Sequence, residues 1–293
     1  MKEEFISKNF GKKALRLIEI AEEICDDYAS QGYDLSLRQL YYQFVSRDIL
    51  ANTEKNYKRL GNTISDARLA GLIDWDAIKD RGRETLVNPH WASIGDIISA
   101  CASQYNVDLW EGQVNHVELM VEKQALEGVL EPVCKRWDIG FTANKGYSSS
   151  SALYEIGKRL AKKDREGKLL NVIYLGDHDP SGIDMTRDIE ERLCLFSNCY
   201  VEVHRIALNT DQVEEYNPPE NPAKLTDTRA ADYIRKFGES SWELDALEPR
   251  VLVSLVEKKI KQLLIEELFE KKKDYRNEQR ALLQTIAAEH RNA

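Results

Sequence analysis

Thirteen residues, Val172-Ile173-Tyr174-Leu175-Gly176-Asp177-His178-Asp179-Pro180-Ser181-Gly182-Ile183-Asp184, constrain the fold more than any others in the chain. The opening apolar run predicts a strand covered on both faces, as in a parallel sheet. Pro180 cannot donate to a sheet ladder but suits a first helical turn, so the strand ends there and a helix begins. Strand alternation sends Asp177 and Asp179 to one side and His178 to the other. Two carboxylates then stand at the C-terminal end of a strand, where open α/β sheets carry their ligand crevices. They repel unless a cation joins them, and Mg²⁺ takes one or two carboxylates plus phosphate oxygens. Alone, such an acid pair is equally a solvated turn.

Upstream, Val117-Glu118-Leu119-Met120-Val121-Glu122-Lys123-Gln124-Ala125-Leu126 is a second short apolar strand that ends in an acid and opens into a helix. An acid after one strand and an acid pair after another resemble the Toprim domain. The closest resemblance is to the A subunit of topoisomerase VI, in a compact form, and to its meiotic double-strand-break relatives. It rests on Val121-Glu122-Lys123 with Ala125, on Lys145-Gly146-Tyr147, and on Asp177 to Asp184, and covers about residues 112 to 210. It implies Mg²⁺ held by Glu122, Asp177 and Asp179, with Glu122 also a general acid or base. Lys123 and Lys145 are candidate phosphate contacts; as lysines they are equally solvated side chains. Asp184 matches the end of the family motif, or simply favours a helix N-terminus.

Around these motifs the pattern alternates. Strands are expected near 117–121, 139–142, 171–177 and 200–203, separated by helices near 124–136, 149–163 and 181–195, which implies a parallel sheet. The N-terminal part predicts helices over 12–29, from Leu37 to about Asp48, and from Thr53 to Ala70, followed by a short strand at Leu72-Ile73-Asp74-Trp75. Ser36 with Gln39 forms a capping box for the second helix. Three helices and a strand suggest a winged helix-turn-helix whose third helix reads duplex DNA through Lys55, Lys58, Arg59 and Arg68, with Arg81 and Arg83 on the wing. The alternative is a helical packing unit with a solvated charged face. Pro218, Pro219 and Pro222 mark a loop, and residues 249–290 read as helical. The expected fold class is thus α/β: a winged-helix unit (1–90), a connector (91–111), a Rossmann-like Toprim sheet (112–210) and a helical C-terminal region (211–293).

Tyr42 is the candidate nucleophile. With about 100° per residue, Leu40, Tyr41, Phe44 and Val45 share one apolar face and Tyr42 points roughly 130° away from its centre. Leu37-Arg38-Gln39-Leu40-Tyr41-Tyr42 resembles the family's L-R-x-x-Y-Y signature, in which the second tyrosine attacks DNA. Arg38 takes the place of the family arginine. A phenol needs a base, cation or metal to become a nucleophile. A tyrosine packed at a domain edge is the plainer alternative.

The formal net charge of −9 argues against a chain that coats nucleic acid non-specifically, while leaving room for a local DNA contact. No apolar run approaches membrane-spanning length, and the five cysteines lack a C-x-x-C pair, so buried thiols in a cytoplasmic protein are expected. Together these features predict Mg²⁺-dependent DNA cleavage by Tyr42. The alternatives are hydrolysis by a metal-activated water and a non-catalytic DNA-binding or regulatory protein. The resemblance further implies a homodimer in which the tyrosine of one protomer serves the metal site of the other. A partner ATPase subunit is left open.

Overall fold

The computed structural model describes residues 2–33, 35–78, 88–144, 146–223 and 226–291. Arg81, Arg83 and Lys145 lie outside these residues. The centre is a four-stranded parallel sheet of β1 (Asn115–Val121), β2 (Gly140–Ala143), β3 (Leu169–Leu175) and β4 (Val201–Ala207), in the order β2-β1-β3-β4. Alternation assigns each side chain to a face. Val117, Leu119, Val121, Ile173 and Leu175 join one core, while Met120, Val172 and Tyr174 join the other. Helix α5 (Glu127–Trp137) lies over the first face; α6 (Ser150–Arg165) and α7 (Pro180–Ser197) lie over the second. Chain order reverses between β1 and β3, so their C-terminal ends flank the topological switch point of the sheet.

The N-terminal unit comprises α1 (Lys12–Ser30), α2 (Leu37–Ser46) and α3 (Glu54–Leu69) around Ile24, Leu40, Phe44, Leu60 and Ile64. The capping box is present: the Ser36 hydroxyl accepts from Gln39 N at 3.3 Å and the Gln39 amide oxygen accepts from Ser36 N at 2.9 Å. The strand expected at 72–75 is not formed. Asp74 accepts a hydrogen bond from Asp76 N at 2.8 Å and starts a 3₁₀ turn over Trp75–Ala77 instead.

The C-terminal region continues the sheet's own core. Helix α8 (Thr210–Tyr216) leads to a short antiparallel pair, β5 (Glu220–Pro222) with β6 (Ser240–Trp242), on either side of α9 (Ala230–Phe237). Helix α10 (Pro249–Leu263) then lays Leu252, Val256 and Ile260, each fully buried, against the β1 face. Each such side chain contributes about 1.5–3 kcal/mol. The helix expected across 249–290 breaks before α11 (Glu266–Glu289), because Gln113 holds both backbone groups of Ile265 at 2.8 and 2.9 Å. Helix α11 packs along α4 (Ile94–Gln104) at close range: a Cβ on Gly95 would lie 2.6 Å from Ala287 O. No described helix is long and apolar enough to cross a membrane.

Candidate active site at the switch point

Glu122 follows β1 and Asp177 follows β3, so sheet order alone brings them side by side. One Glu122 carboxylate oxygen accepts a hydrogen bond from Asp177 N at 2.8 Å. The same oxygen explains the glycines of the motif. A Cβ on Gly176 would stand 2.9 Å from it, and one on Gly182 would stand 3.1 Å from it and strike the Asp177 carbonyl. Asp179 is the N-cap of α7, accepting from Gly182 N at 2.6 Å and from the Ser181 hydroxyl at 2.9 Å. Burial, with Asp179 nearby, pushes the Glu122 carboxyl up despite the hydrogen bond from Asp177 N.

Arg205 braces this loop from below. Its guanidinium donates to the carbonyls of Gly176 (3.0 Å), Asp177 (2.6 Å), Gly182 (2.9 Å) and Leu208 (3.1 Å). His178 faces away, as alternation requires, and is structural. Its ring meets the Tyr233 hydroxyl at 2.7 Å and is edged by Phe237 and Trp242. Its backbone exchanges two 2.9 Å hydrogen bonds with Trp242. That exchange fixes the segment after β6 over the motif.

The segment delivers two acids that the sequence pattern did not single out, Glu243 and Asp245. Leu244 N donates to Asp177 Oδ1 at 2.8 Å. Lys123 Nζ lies 2.9 Å from both Asp177 Oδ1 and Asp245 Oδ1 and also bonds Glu243. Arg38 arrives from α2, its Nη2 3.2 Å from Glu243 and its Nε 3.1 Å from Asp245 Oδ2. The N-terminal helices and the sheet therefore meet through charged groups at the site itself. Burial pushes the Asp177 carboxyl up to about 8, with Lys123 pulling it down and Glu122 and Glu243 pushing it further up. Burial opposes the charge on Lys123, but Asp245, Asp177 and Glu243 hold it protonated more firmly than usual.

Tyr42 points off the helical core, as its angle predicted, but into this interface rather than into solvent. It is 5% exposed, and the Arg38 guanidinium carbon lies 5.8 Å from its ring centre. Burial, then Asp245 and Glu243, push its phenol up to about 12, against the pull of Arg38 and Lys123. One chain thus brings Tyr42, Arg38, Lys123 and Asp177 into one network.

Among the described residues no three His, Cys, Asp or Glu side chains form a ready metal cage. Glu122, Asp177 and Asp179 instead use backbone donors and Lys123. Five carboxyl groups, those of Glu122, Asp177, Asp179, Glu243 and Asp245, share the site with Arg38, Lys123 and Arg205. The remaining expected DNA contacts divide. Lys55, Lys58 and Arg59 are exposed on α3, Lys58 pairing with Glu54 at 2.7 Å. Arg68 donates to the carbonyls of Trp75 and Ile78 and lies 5.4 Å from the Trp75 ring centre, so it closes the turn after α3. Asp184 takes up Tyr147 and Arg229, each at 3.0 Å, and Arg187 at 2.8 Å. Glu243 caps and Asp245 lies within a 3₁₀ turn over Leu244–Ala246, so no strand or helix period marks the pair in the sequence. No family model, curated protein or solved structure matches the chain.

Proposed function

We propose that this protein is a Mg²⁺-dependent DNA-cleaving enzyme, similar to a compact topoisomerase VI A subunit, in which Tyr42 is the nucleophile. The observation that carries the reading is the convergence of Tyr42 and Arg38, from the helical unit, with Lys123 and the Glu122–Asp177 pair at the switch point of the sheet. In the reaction the Tyr42 oxygen forms a bond to phosphorus and the bond to the 3′ oxygen breaks. The phenol proton passes to a base, for which Glu122 is the candidate, and the released 3′ oxygen takes up a proton. The products are a 5′-phosphotyrosyl link and a free 3′ hydroxyl. Mg²⁺, held by Glu122, Asp177 and Asp179, would neutralise phosphate charge. Arg38 and Lys123 supply fixed positive charge beside the phenol.

The helical unit serves in this reading as a winged-helix reader, with Lys55, Lys58 and Arg59 of α3 along the duplex and Lys123 nearer the cut phosphate, Lys145 being the further phosphate contact that the resemblance implies. A homodimer would place two such sites across the two strands, and a partner ATPase would be needed only for strand passage. The burial of Tyr42 supports a second reading, in which the same acids direct hydrolysis and the tyrosine is structural. A protein that binds DNA without cutting it is the third. Plasmid nicking in Mg²⁺, compared with EDTA and with Asp177→Ala, separates these. Loss of nicking in both controls supports cleavage at the proposed site; nicking indifferent to both removes the acids from the mechanism.

A further inference from the structure

The carboxylate of Glu243 sits where an anionic oxygen is held by two cations at once. Its Oε2 bonds Lys123 Nζ and lies 3.2 Å from Arg38 Nη2, beside the Tyr42 ring. We infer that Arg38 and Lys123 form a binding site for one phosphodiester group, and that Glu243 occupies it as an internal stand-in. This inference rests on the proposed DNA reading for the source of the ligand, while the site itself stands on the geometry of these cations.

Its two acids differ in a way that assigns their roles. The Asp245 side chain is fully buried and contacts Lys123 and Arg38 through separate oxygens, so it aims both cations. The Glu243 side chain keeps 25% of its surface in solvent. Its backbone is fixed on both sides, by the exchange between Trp242 and His178 and by the hydrogen bond from Leu244 N to Asp177. Rotation of the Glu243 side chain therefore frees the site without moving the segment. A phosphodiester carries one negative charge, as the carboxylate does, so the exchange keeps the local charge balance. Two cationic donors of different shape, a planar guanidinium and an ammonium, suit two phosphate oxygens. A cavity of about 210 Å³, lined by Arg38, Tyr42, Asn52, Glu54 and Tyr57 among others, adjoins the site on the Arg38 side. A group bound there would share Arg38 with the Tyr42 ring, 5.8 Å from the guanidinium carbon.

The test is binding of a dinucleoside monophosphate, which has a single diester, to the full chain by NMR titration, with inorganic phosphate as the second probe. Glu243→Gln keeps the shape and removes the competing charge. It should tighten diester binding by about tenfold or more, the scale of one charge-assisted hydrogen bond. Adding Arg38→Ala should abolish the gain. Glu243→Ala, with circular dichroism to check folding, provides the same comparison if the glutamine variant is perturbed. Unchanged diester affinity in both folded variants, or a gain that survives loss of Arg38, overturns the site. Tighter diester binding in a protein that never binds duplex DNA sustains the site and overturns the DNA reading. DNA cleavage with diester binding indifferent to Glu243 does the reverse.

Discussion

Lys123→Met removes the single ammonium that joins three carboxylates. The Lys123 side chain is 14% exposed, and its partners Asp177, Asp245 and Glu243 are 9%, 0% and 25% exposed. Methionine matches the stem, so lost packing is minor and the cost is electrostatic. Breaking a buried pair by removing one partner costs about 3–5 kcal/mol, because the other charge is left uncompensated. At about 2–4 °C per kcal/mol that corresponds to a fall in melting temperature of roughly 10 °C. Differential scanning calorimetry with urea unfolding measures it. At alkaline pH, where the raised Asp177 carboxyl carries its charge, Asp177→Asn in the same background should return part of the loss, on the order of 0.5–3 kcal/mol, since the amide oxygen still accepts from Leu244 N and one unpaired charge is gone. A Lys123→Met protein within about 1 kcal/mol of the parent, or no rescue by Asp177→Asn, would refute the view that this ammonium holds the interface together.

Glu118 gives a pH test away from the site. Burial pushes its carboxyl up, yet the bonds from His116 and Arg159, the latter at 2.7 Å, outweigh burial and hold it below the usual range. Its stabilisation is therefore complete above the unfolded value of about 4.3 and is lost as pH falls through the folded value. Glu118→Gln should cost about 1–3 kcal/mol at pH 7, and urea midpoints of the two proteins should converge in acid. Replacing Lys55, Lys58 and Arg59 together by alanine should weaken duplex binding and flatten its salt dependence by about 0.9 for each phosphate no longer neutralised. Arg68→Ala should instead lower stability, as its turn hydrogen bonds require. Mg²⁺ should raise the melting temperature of the parent, by about 2.7 kcal/mol of stability at a hundredfold excess over its dissociation constant, and Asp177→Asn should remove the effect.

Much of this architecture can be read from local pattern. The apolar run before Gly176 and the Pro180 break place strand and helix within a residue or two, because hydrogen-bond capacity and ring geometry act locally. The Ser36–Gln39 box is equally local. The missed features depend on distant partners. The break between α10 and α11 is made by Gln113, far away in sequence, and the environment of Tyr42 by Glu243 and Asp245 after β6. The expected strand at 72–75 failed for the opposite reason: an aspartate side chain satisfied the backbone without a sheet partner. Arg205 lies beyond the strand expected at 200–203, in a β4 that also carries Glu202 and His204, and only the register opposite Tyr174 puts it under the motif loop.

The central claim is that Tyr42 forms a covalent bond with DNA, and trapping that bond is its most direct test. Protein incubated with ³²P-labelled duplex or supercoiled plasmid in Mg²⁺ is quenched with SDS, digested with protease and mapped by mass spectrometry. The tyrosine mechanism predicts a phosphotyrosyl peptide containing Leu37–Ser46, carrying label only when the ³²P is placed inside the duplex at the cut phosphate. Tyr42→Phe should abolish the adduct while Tyr41→Phe, whose hydroxyl is committed to the backbone of Thr53 at 2.7 and 3.0 Å, should retain it in the folded fraction. Cleaved DNA that carries free 5′ phosphates, with cutting unchanged in Tyr42→Phe, would contradict that claim and assign the chemistry to hydrolysis.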